Sequence, residues 1–97
     1  MATFIMLGCF TDQGIRKVKD TAKWAEASKE MAKKVGVTVK DVYWTLGQFD
    51  IAAVCDAPDN ASASALAFSV GAQGNVRTQT LCAISQAEIG TVLSKMA

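Results

Sequence analysis

The N-terminal segment is apolar on both sides of an extended chain. In residues 3–10 the apolar positions are Phe4, Met6 and Phe10 on one side and Ile5, Leu7 and Cys9 on the other. Strands at a surface alternate apolar with polar residues, whereas strands that are covered on both faces do not. The pattern therefore predicts a first strand over residues 3–10 that is buried on both faces.

Helical and extended patterns alternate through the rest of the chain. Apolar residues at helical spacing run from Ile15 and Val18 to Val35, and Asp20 suits a fresh helix start, so this helix is predicted to be kinked or divided. The further predicted elements are strands over 37–46 and 51–57, a helix over 61–72 capped by Asp59, a strand over 76–84, and a C-terminal helix with an apolar stripe of Ile89, Val92, Leu93 and Met96. Elements of these lengths are typical of a small α+β domain.

The order of these elements is β-α-β-β-α-β followed by a helix, which is the split-βαβ order of ferredoxin-like folds. The chain has 97 residues, which predicts a single domain over 1–97 with a four-stranded antiparallel sheet. Both long helices then cover one sheet face, and the other face is bare unless another molecule covers it. Because the first strand is apolar on both sides, we expect further copies of the chain to cover that face in a homo-oligomer.

Charge and composition argue against several classes of function. The formal net charge is +1, which provides no field for nucleic acid or an anionic membrane, so neither is predicted as a partner. The chain has no histidine, which excludes His-dependent nucleophile activation and removes the commonest metal ligand. We therefore predict neither a metal site nor a cofactor. The apolar N-terminus has no basic leader region and is typical of a strand, which predicts a cytoplasmic protein.

The three cysteines, Cys9, Cys55 and Cys82, are far apart and form no Cys-x-x-Cys pair. This arrangement is typical neither of a disulfide framework nor of a zinc site. Each cysteine lies in an apolar segment, where a free thiol behaves as a small hydrophobic group. All three are therefore predicted to be reduced and slow to react with thiol reagents.

Four motifs, in order along the chain, carry a family resemblance. They are Thr11–Ile15, Val42–Asp50, Ala57–Asp59 and Gly74–Thr78, with the sequences TDQGI, VYWTLGQFD, APD and GNVRT. Together they resemble the GYD-domain family over essentially the whole chain. The resemblance implies a dimeric α/β-barrel, in which two ferredoxin-like sheets pack into a shared barrel, and it implies no single activity. Phe49 stands where the tyrosine of the family's name-giving motif is expected, so chemistry based on that phenol is not expected here.

Four side chains are candidates for a ligand-binding site in such a barrel. Tyr43 and Trp44 either line a cavity or are core and interface residues, because aromatic residues in strands serve both purposes. Asp50 either completes the hairpin turn or acts as a ligand or base. Arg77 lies in a neutral strand, where it either holds an anionic ligand or forms an ion pair. The predicted ion pair joins it to a carboxylate such as Asp50 or Asp56, in its own chain or across a dimer.

Two functions are compatible with these residues. The first is a homo-oligomeric barrel that binds a small, largely apolar molecule, or serves as a structural module, without chemistry of its own. The alternative is a cofactor-independent monooxygenase or isomerase that acts on a small apolar or aromatic substrate in the barrel cavity, with Tyr43, Asp50 and Arg77 around it. A cavity of roughly 300 Å³ or more with convergent polar groups favours binding or catalysis, and close packing favours a structural role.

Overall fold

The computed structural model describes residues 1–97 as a four-stranded antiparallel sheet with its long helices on one face. The elements in chain order are β1 (Ala2–Phe10), α1 (Asp12–Arg16), α2 (Thr21–Lys34), β2 (Thr38–Trp44), β3 (Ile51–Ala57), α3 (Asn60–Ala72), β4 (Val76–Ala83) and α4 (Ile89–Ser94). One turn of 3-10 helix, Val18–Asp20, joins α1 to α2. The predicted α+β fold, with its βαββαβ order and C-terminal helix, is confirmed.

The β1 strand lies inside the sheet, whose strand order is β2-β3-β1-β4. Its Ile5 is paired with Val54 of β3 and Leu81 of β4. The preceding side chain, Phe4, points to the opposite face because successive side chains of a strand alternate. Phe4 is buried, whereas Ile5 on the other face is only half-buried, so the predicted burial of β1 on both faces is not met within a single chain.

The helices α2 and α3 pack on the sheet face that carries Phe4. The core consists of Phe4, Met6, Ala32, Val37, Cys55, Ala57, Ala63 and Leu66. The α3 helix begins where the Asp59 carboxylate accepts a 2.8 Å hydrogen bond from the Ser62 N–H, which is the predicted N-cap. Only 11 of the 97 residues are buried, so the core of a single chain is small.

The chain breaks between α1 and α2, and the break changes which side chains are covered. Thr11 caps α1 by accepting a 3.0 Å hydrogen bond from the Gly14 N–H. The 3-10 turn that follows shifts the helical phase, and Ile15 and Val18 are 53% and 37% exposed. The predicted division of this helix is confirmed. The predicted apolar stripe is wrong at these two positions and at Ala22, which is also exposed.

The sheet face opposite the long helices has no cover within the chain. As the strand register and the alternation of side chains place them, the residues of this open face are Ile5, Leu7, Cys9, Asp41, Tyr43, Ala52, Val54, Arg77, Gln79 and Leu81, with Thr3, Thr38, Asp56 and Ala83 at one end. Tyr43 is 57% exposed and Leu81 is 41% exposed. A single chain therefore leaves a mostly apolar sheet face in contact with water.

The chain after β4 does not pack into the core. Every residue from 84 to 97 is exposed, including the predicted stripe of Ile89, Val92, Leu93 and Met96. The radius of gyration is 14.4 Å, whereas a compact chain of this length has a value of about 13 Å. A C-terminal helix is therefore present, but it ends at Ser94, before Met96 of the predicted stripe, and the stripe is uncovered. None of the helices in the fold has the length and apolar character needed to cross a membrane.

Candidate functional site

The four predicted site residues lie in different parts of the fold. Tyr43 is on the open face, whereas the neighbouring Trp44 is on the helix side of the sheet. Asp50 lies immediately before β3, and Arg77 lies on the edge strand β4 beside Cys9. A single chain therefore does not bring these four side chains into one site.

Asp50 joins the β2–β3 hairpin to the end of β1. Its carboxylate accepts a 2.9 Å hydrogen bond from the Phe10 N–H, and its own N–H donates a 2.8 Å bond to the Gly8 carbonyl. Its carbonyl accepts a 2.8 Å bond from the Thr45 N–H. The carboxylate is thus bonded to backbone, which is the structural role expected of an aspartate in a turn.

Arg77 is exposed and makes no ion pair within the chain. The Asp56 carboxylate, one of its predicted partners, instead accepts a 3.2 Å hydrogen bond from the Thr3 hydroxyl and lies 3.7 Å from the Lys40 ammonium. Asp56 is paired with Thr3 at one end of β1, and Arg77 is paired with Cys9 at the other end. At the rise of a strand, these two positions of β1 are about 20 Å apart. The predicted pair within one chain is therefore wrong, and a pair across two copies stays a prediction.

A cavity of about 340 Å³ lies between the sheet and the helix α2. We call it the helix-side cavity. Its lining includes Met6, Ile51 and Ala53 from the sheet and Trp24, Ala25 and Met31 from α2. Small apolar molecules bind in proteins at largely apolar cavities of this size. This cavity is on the opposite side of the sheet from the barrel interior in which the sequence predicts a ligand.

Both tryptophans of the chain line the helix-side cavity. The indole N–H of Trp44 donates a 3.0 Å hydrogen bond to the Thr21 hydroxyl. The Trp24 ring packs edge-on against Phe10, with the ring centroids 6.3 Å apart. Sequence alone did not single out Trp24 as a cavity residue, although its alanine neighbours on α2 indicate space beside a large ring.

Two of the four sequence motifs meet at the start of α1. The Thr11 N–H donates a 3.1 Å hydrogen bond to the Asn75 carbonyl, and the Thr11 hydroxyl donates a 2.6 Å bond to the Gly74 carbonyl. The side-chain amide of Gln13 donates a 2.9 Å bond to the side-chain oxygen of Asn75. Gly14 packs so closely that a Cβ there would overlap the Asn75 carbonyl. These motif residues therefore join the end of β1 to the start of β4.

The three thiols differ in their surroundings. Cys55 is buried, and burial, followed by the negative charge of Asp56, raises the pKa of its thiol. Cys9 is half-buried, and Cys82 on the edge strand β4 is exposed. The apolar shielding predicted for all three thiols is therefore wrong for Cys82. No group of three or more cysteine, aspartate or glutamate side chains is placed to hold a metal ion.

Comparison with known proteins gives matches over nearly the whole chain. The family model described as the GYD domain matches residues 4–93. A relative from Thermus thermophilus, described as "Glutamine synthetase and cystathionine beta-lyase binding protein", is 34% identical over 90 residues, which cover 92% of this chain and 95% of the relative. No solved structure matches the chain. The resemblance carried by the four motifs is confirmed, and the chain belongs to the GYD domain family.

Proposed function

We propose that this chain is a protein-binding module without chemistry of its own, which assembles into a homo-oligomer through its open face and binds a metabolic enzyme. The observation that carries the proposal is the open face, because large exposed apolar patches mark interaction sites. The relative from Thermus thermophilus supports the enzyme partner, since its description gives two enzymes as the proteins that it binds.

Self-association would enlarge a small core. Ile5, Leu7 and Val54 lie in the middle of the open face, and each is half-buried in the single chain. Covering apolar surface contributes about 25 cal/mol per Å² that is removed from water. A second copy placed on the open face would bury these side chains on both copies at once, because the two surfaces of a twofold interface are the same patch.

The charges of the open face also suit pairing between two copies. Arg77 is on the edge strand β4 beside Cys9, at one end of β1, whereas Asp41 is on the edge strand β2, level with Ile5 toward the other end. Arg77 and Asp41 thus lie near opposite corners of the face. A twofold axis along the other diagonal would place Arg77 of each copy over Asp41 of the other. The two copies would then gain a reciprocal pair of ionic contacts.

The apolar stripe of α4 is the proposed contact for the enzyme. Leu93 is 56% exposed and Met96 is 71% exposed, and no residue of 84–97 belongs to the core. An amphipathic helix that lays its apolar face in a groove of another protein is a recurring mode of recognition. Residues 84–97 can bind in this way without loss of core packing.

The proposed function leaves out the predicted monooxygenase or isomerase activity. That activity requires Tyr43, Asp50 and Arg77 around one cavity, and none of the three lines the helix-side cavity. The Asp50 carboxylate is bonded to the Phe10 N–H, and this bond gives it a structural role at the end of β1.

Light scattering of the purified protein tests the assembly. We expect a mass of at least two chains at micromolar concentration, and a single-chain mass for Ile5→Lys, which places a charge in the middle of the open face. Ile15→Lys is the matched control, because Ile15 is exposed on α1, and it should keep the wild-type mass. A wild-type mass of 10.2 kDa, or an oligomeric Ile5→Lys variant, would contradict the proposed assembly.

Sedimentation of the protein mixed with the glutamine synthetase or cystathionine beta-lyase of its own organism tests the enzyme partner. We expect a complex with one of them, and binding about tenfold weaker or worse for Leu93→Asp, as for a central interface residue. Ser94→Asp, at the neighbouring exposed position, should bind normally. Absence of a complex with either enzyme would refute this part, and a lower self-assembled mass of Leu93→Asp would assign α4 to the homo-oligomer instead.

A further inference from the structure

We propose that the helix-side cavity binds a small, neutral, two-ring aromatic molecule that carries one hydroxyl or carbonyl group. The cavity lies under α2, on the opposite side of the sheet from the open face. The proposal therefore stands independently of the proposed assembly and of the enzyme partner.

The size of the ligand follows from the volume of the cavity. Protein interiors are close-packed, and voids much larger than a water molecule are few. An apolar cavity of about 150 Å³ is large enough to hold benzene. The helix-side cavity measures about 340 Å³, which gives room for a two-ring molecule. A volume of this size is at the lower end of those known for ligand sites, roughly 300–1,000 Å³.

The lining determines that the ligand is neutral and aromatic. The walls include two indole rings, of Trp24 and Trp44, and two thioethers, of Met6 and Met31. Both kinds of group pack favourably against aromatic rings. The one charged residue in the lining is Lys29, and its ammonium lies 3.5 Å from the Glu26 carboxylate. A charged ligand would thus lose its hydration in the cavity without gaining a free counter-charge.

Two hydroxyl groups in the lining are available to form a hydrogen bond with the polar group of the ligand. Ser28 and Thr78 both line the cavity, and neither side chain makes a hydrogen bond within the chain. By contrast, the Thr21 hydroxyl already accepts the indole N–H of Trp44. A hydroxyl donates one hydrogen bond and accepts others, so a single ligand oxygen suits either group.

Titration of the intact protein with 2-naphthol at pH 7 tests the proposal, because 2-naphthol is neutral there and has two rings and one hydroxyl. The indole N–H signals of Trp24 and Trp44 in a ¹⁵N–¹H NMR spectrum report on the site, since the chain has no other tryptophan. We expect both signals to move in a saturable manner. Saturable binding that leaves both signals in place, or no binding at all, would overturn the proposal.

Variants of α2 separate the cavity from the open face. Ala25→Val and Ala25→Leu add volume inside the cavity, and we expect affinity for 2-naphthol to fall in that order, by at least about tenfold for leucine. Ala22→Leu is the matched control on the same helix, because Ala22 is exposed and not in the lining, and it should bind as the wild type does. Ala25→Val, the smaller change, serves if the leucine variant does not fold. Unchanged affinity in a folded Ala25 variant, or loss of binding in Ile5→Lys alone, would place the ligand elsewhere and refute the proposal.

Discussion

The indole N–H of Trp44 donates a 3.0 Å hydrogen bond to the hydroxyl of Thr21, and this bond ties the last residue of β2 to the first residue of α2. It is a side-chain link between the sheet and the helix layer at one end of the helix-side cavity. The two residues are 23 positions apart in sequence, so the bond fixes the start of α2 after the broken helical segment. The position of α2 over the sheet thus depends on a group outside the buried core.

Removal of the hydroxyl from Thr21 should therefore loosen the start of α2. We expect Thr21→Val, which keeps the shape of the side chain, to lower the free energy of unfolding by about 0.5–1.5 kcal/mol, as for an ordinary hydrogen bond. Urea unfolding followed by tryptophan fluorescence measures this loss. Thr91→Val, at an exposed position of α4, is the control and should be close to neutral. If Thr21→Val leaves the free energy of unfolding unchanged, the bond from Trp44 contributes nothing to stability.

Gly14 should not tolerate any side chain. A Cβ at this position would overlap the Asn75 carbonyl, which is backbone and cannot move aside without breaking the joint between β1 and β4. We expect Gly14→Ala to lower the free energy of unfolding by about 3 kcal/mol or more, at the upper end of the cost of overpacking. Gly71→Ala is the control, because nothing lies near its Cβ position in α3, and it should be neutral or slightly stabilising. Equal stability of the two variants would contradict the close approach.

The loss of stability at acidic pH should depend in part on the Asp59 carboxyl. Hydrogen bonds from the backbone and side chain of Ser62 lower the pKa of the Asp59 carboxyl in the folded chain. The stabilisation is thus present above the pKa of an unfolded aspartate, about 3.9, and is lost as the pH falls through the lower pKa of the folded state. Asparagine caps a helix about as well without titrating. We therefore expect Asp59→Asn to match the wild-type thermal midpoint at pH 7 and to lose less of it on acidification.

The matched control for the aspartate cap is Asp20→Asn, since Asp20 precedes α2 but makes no side-chain cap bond. The thermal midpoint of Asp20→Asn should change with pH more nearly as that of the wild type does than the midpoint of Asp59→Asn does. An Asp59→Asn variant with the same acid dependence as the wild type would show that the cap does not titrate in this range.

The thiols should react with maleimide in the order of their exposure. Cys82 is exposed on an edge strand, and it should be labelled first in the native protein. Cys55 should be the last, because it is buried and its raised pKa lowers the fraction of reactive thiolate. Mass spectrometry of peptides after brief labelling measures the order, and Cys82→Ser should remove the fast phase. Fast labelling of Cys55 would indicate that the core opens readily. Slow labelling of Cys82 would indicate that another copy covers β4.

Charge reversal on the open face tests the diagonal pairing of two copies. Arg77→Asp and Asp41→Arg should each weaken self-association, because each places like charges opposite one another in the proposed dimer. The double variant should regain much of the loss, since the reversed charges are again opposite. Arg16→Asp, outside the open face, is the control for the change of net charge. Sedimentation equilibrium measures the dissociation constants of the wild type and of the four variants, and a double variant that associates more weakly than both single variants would exclude the arrangement.

The sequence predicts the sheet of this protein better than its cavity. The apolar residues on both sides of β1 predict a strand covered on both faces, and within one chain the helices cover the Phe4 face and leave the Ile5 face open. The cap at Asp59 is local, because its partner Ser62 is three residues away. The bond from the Phe10 N–H to the Asp50 carboxylate is not local, because the two residues are 40 positions apart. Periodicity and turn chemistry carry the local information without any knowledge of tertiary contacts.

The helix-side cavity and the environment of Arg77 depend on distances that periodicity does not encode. The alternation of β2 predicts that Tyr43 and Trp44 face opposite ways, but it does not say that α2 leaves a gap beside Trp44. The size of that gap depends on the distance between α2 and the sheet. That distance depends in turn on how the large Trp24 and the alanines of α2 pack. Similarly, the order of strands places Arg77 and Asp56 in the same sheet, and the register alone shows that they are at opposite ends.

The separation of residues 84–97 from the core has a consequence for how the protein can change over time. Substitutions in a packed core reduce stability and are removed by selection, whereas substitutions in a segment that carries no core packing leave the fold intact. The βαββαβ body and the C-terminal segment can therefore vary at independent rates. If α4 is the enzyme contact that we propose, a change of partner through substitutions in α4 would require no compensating change in the core.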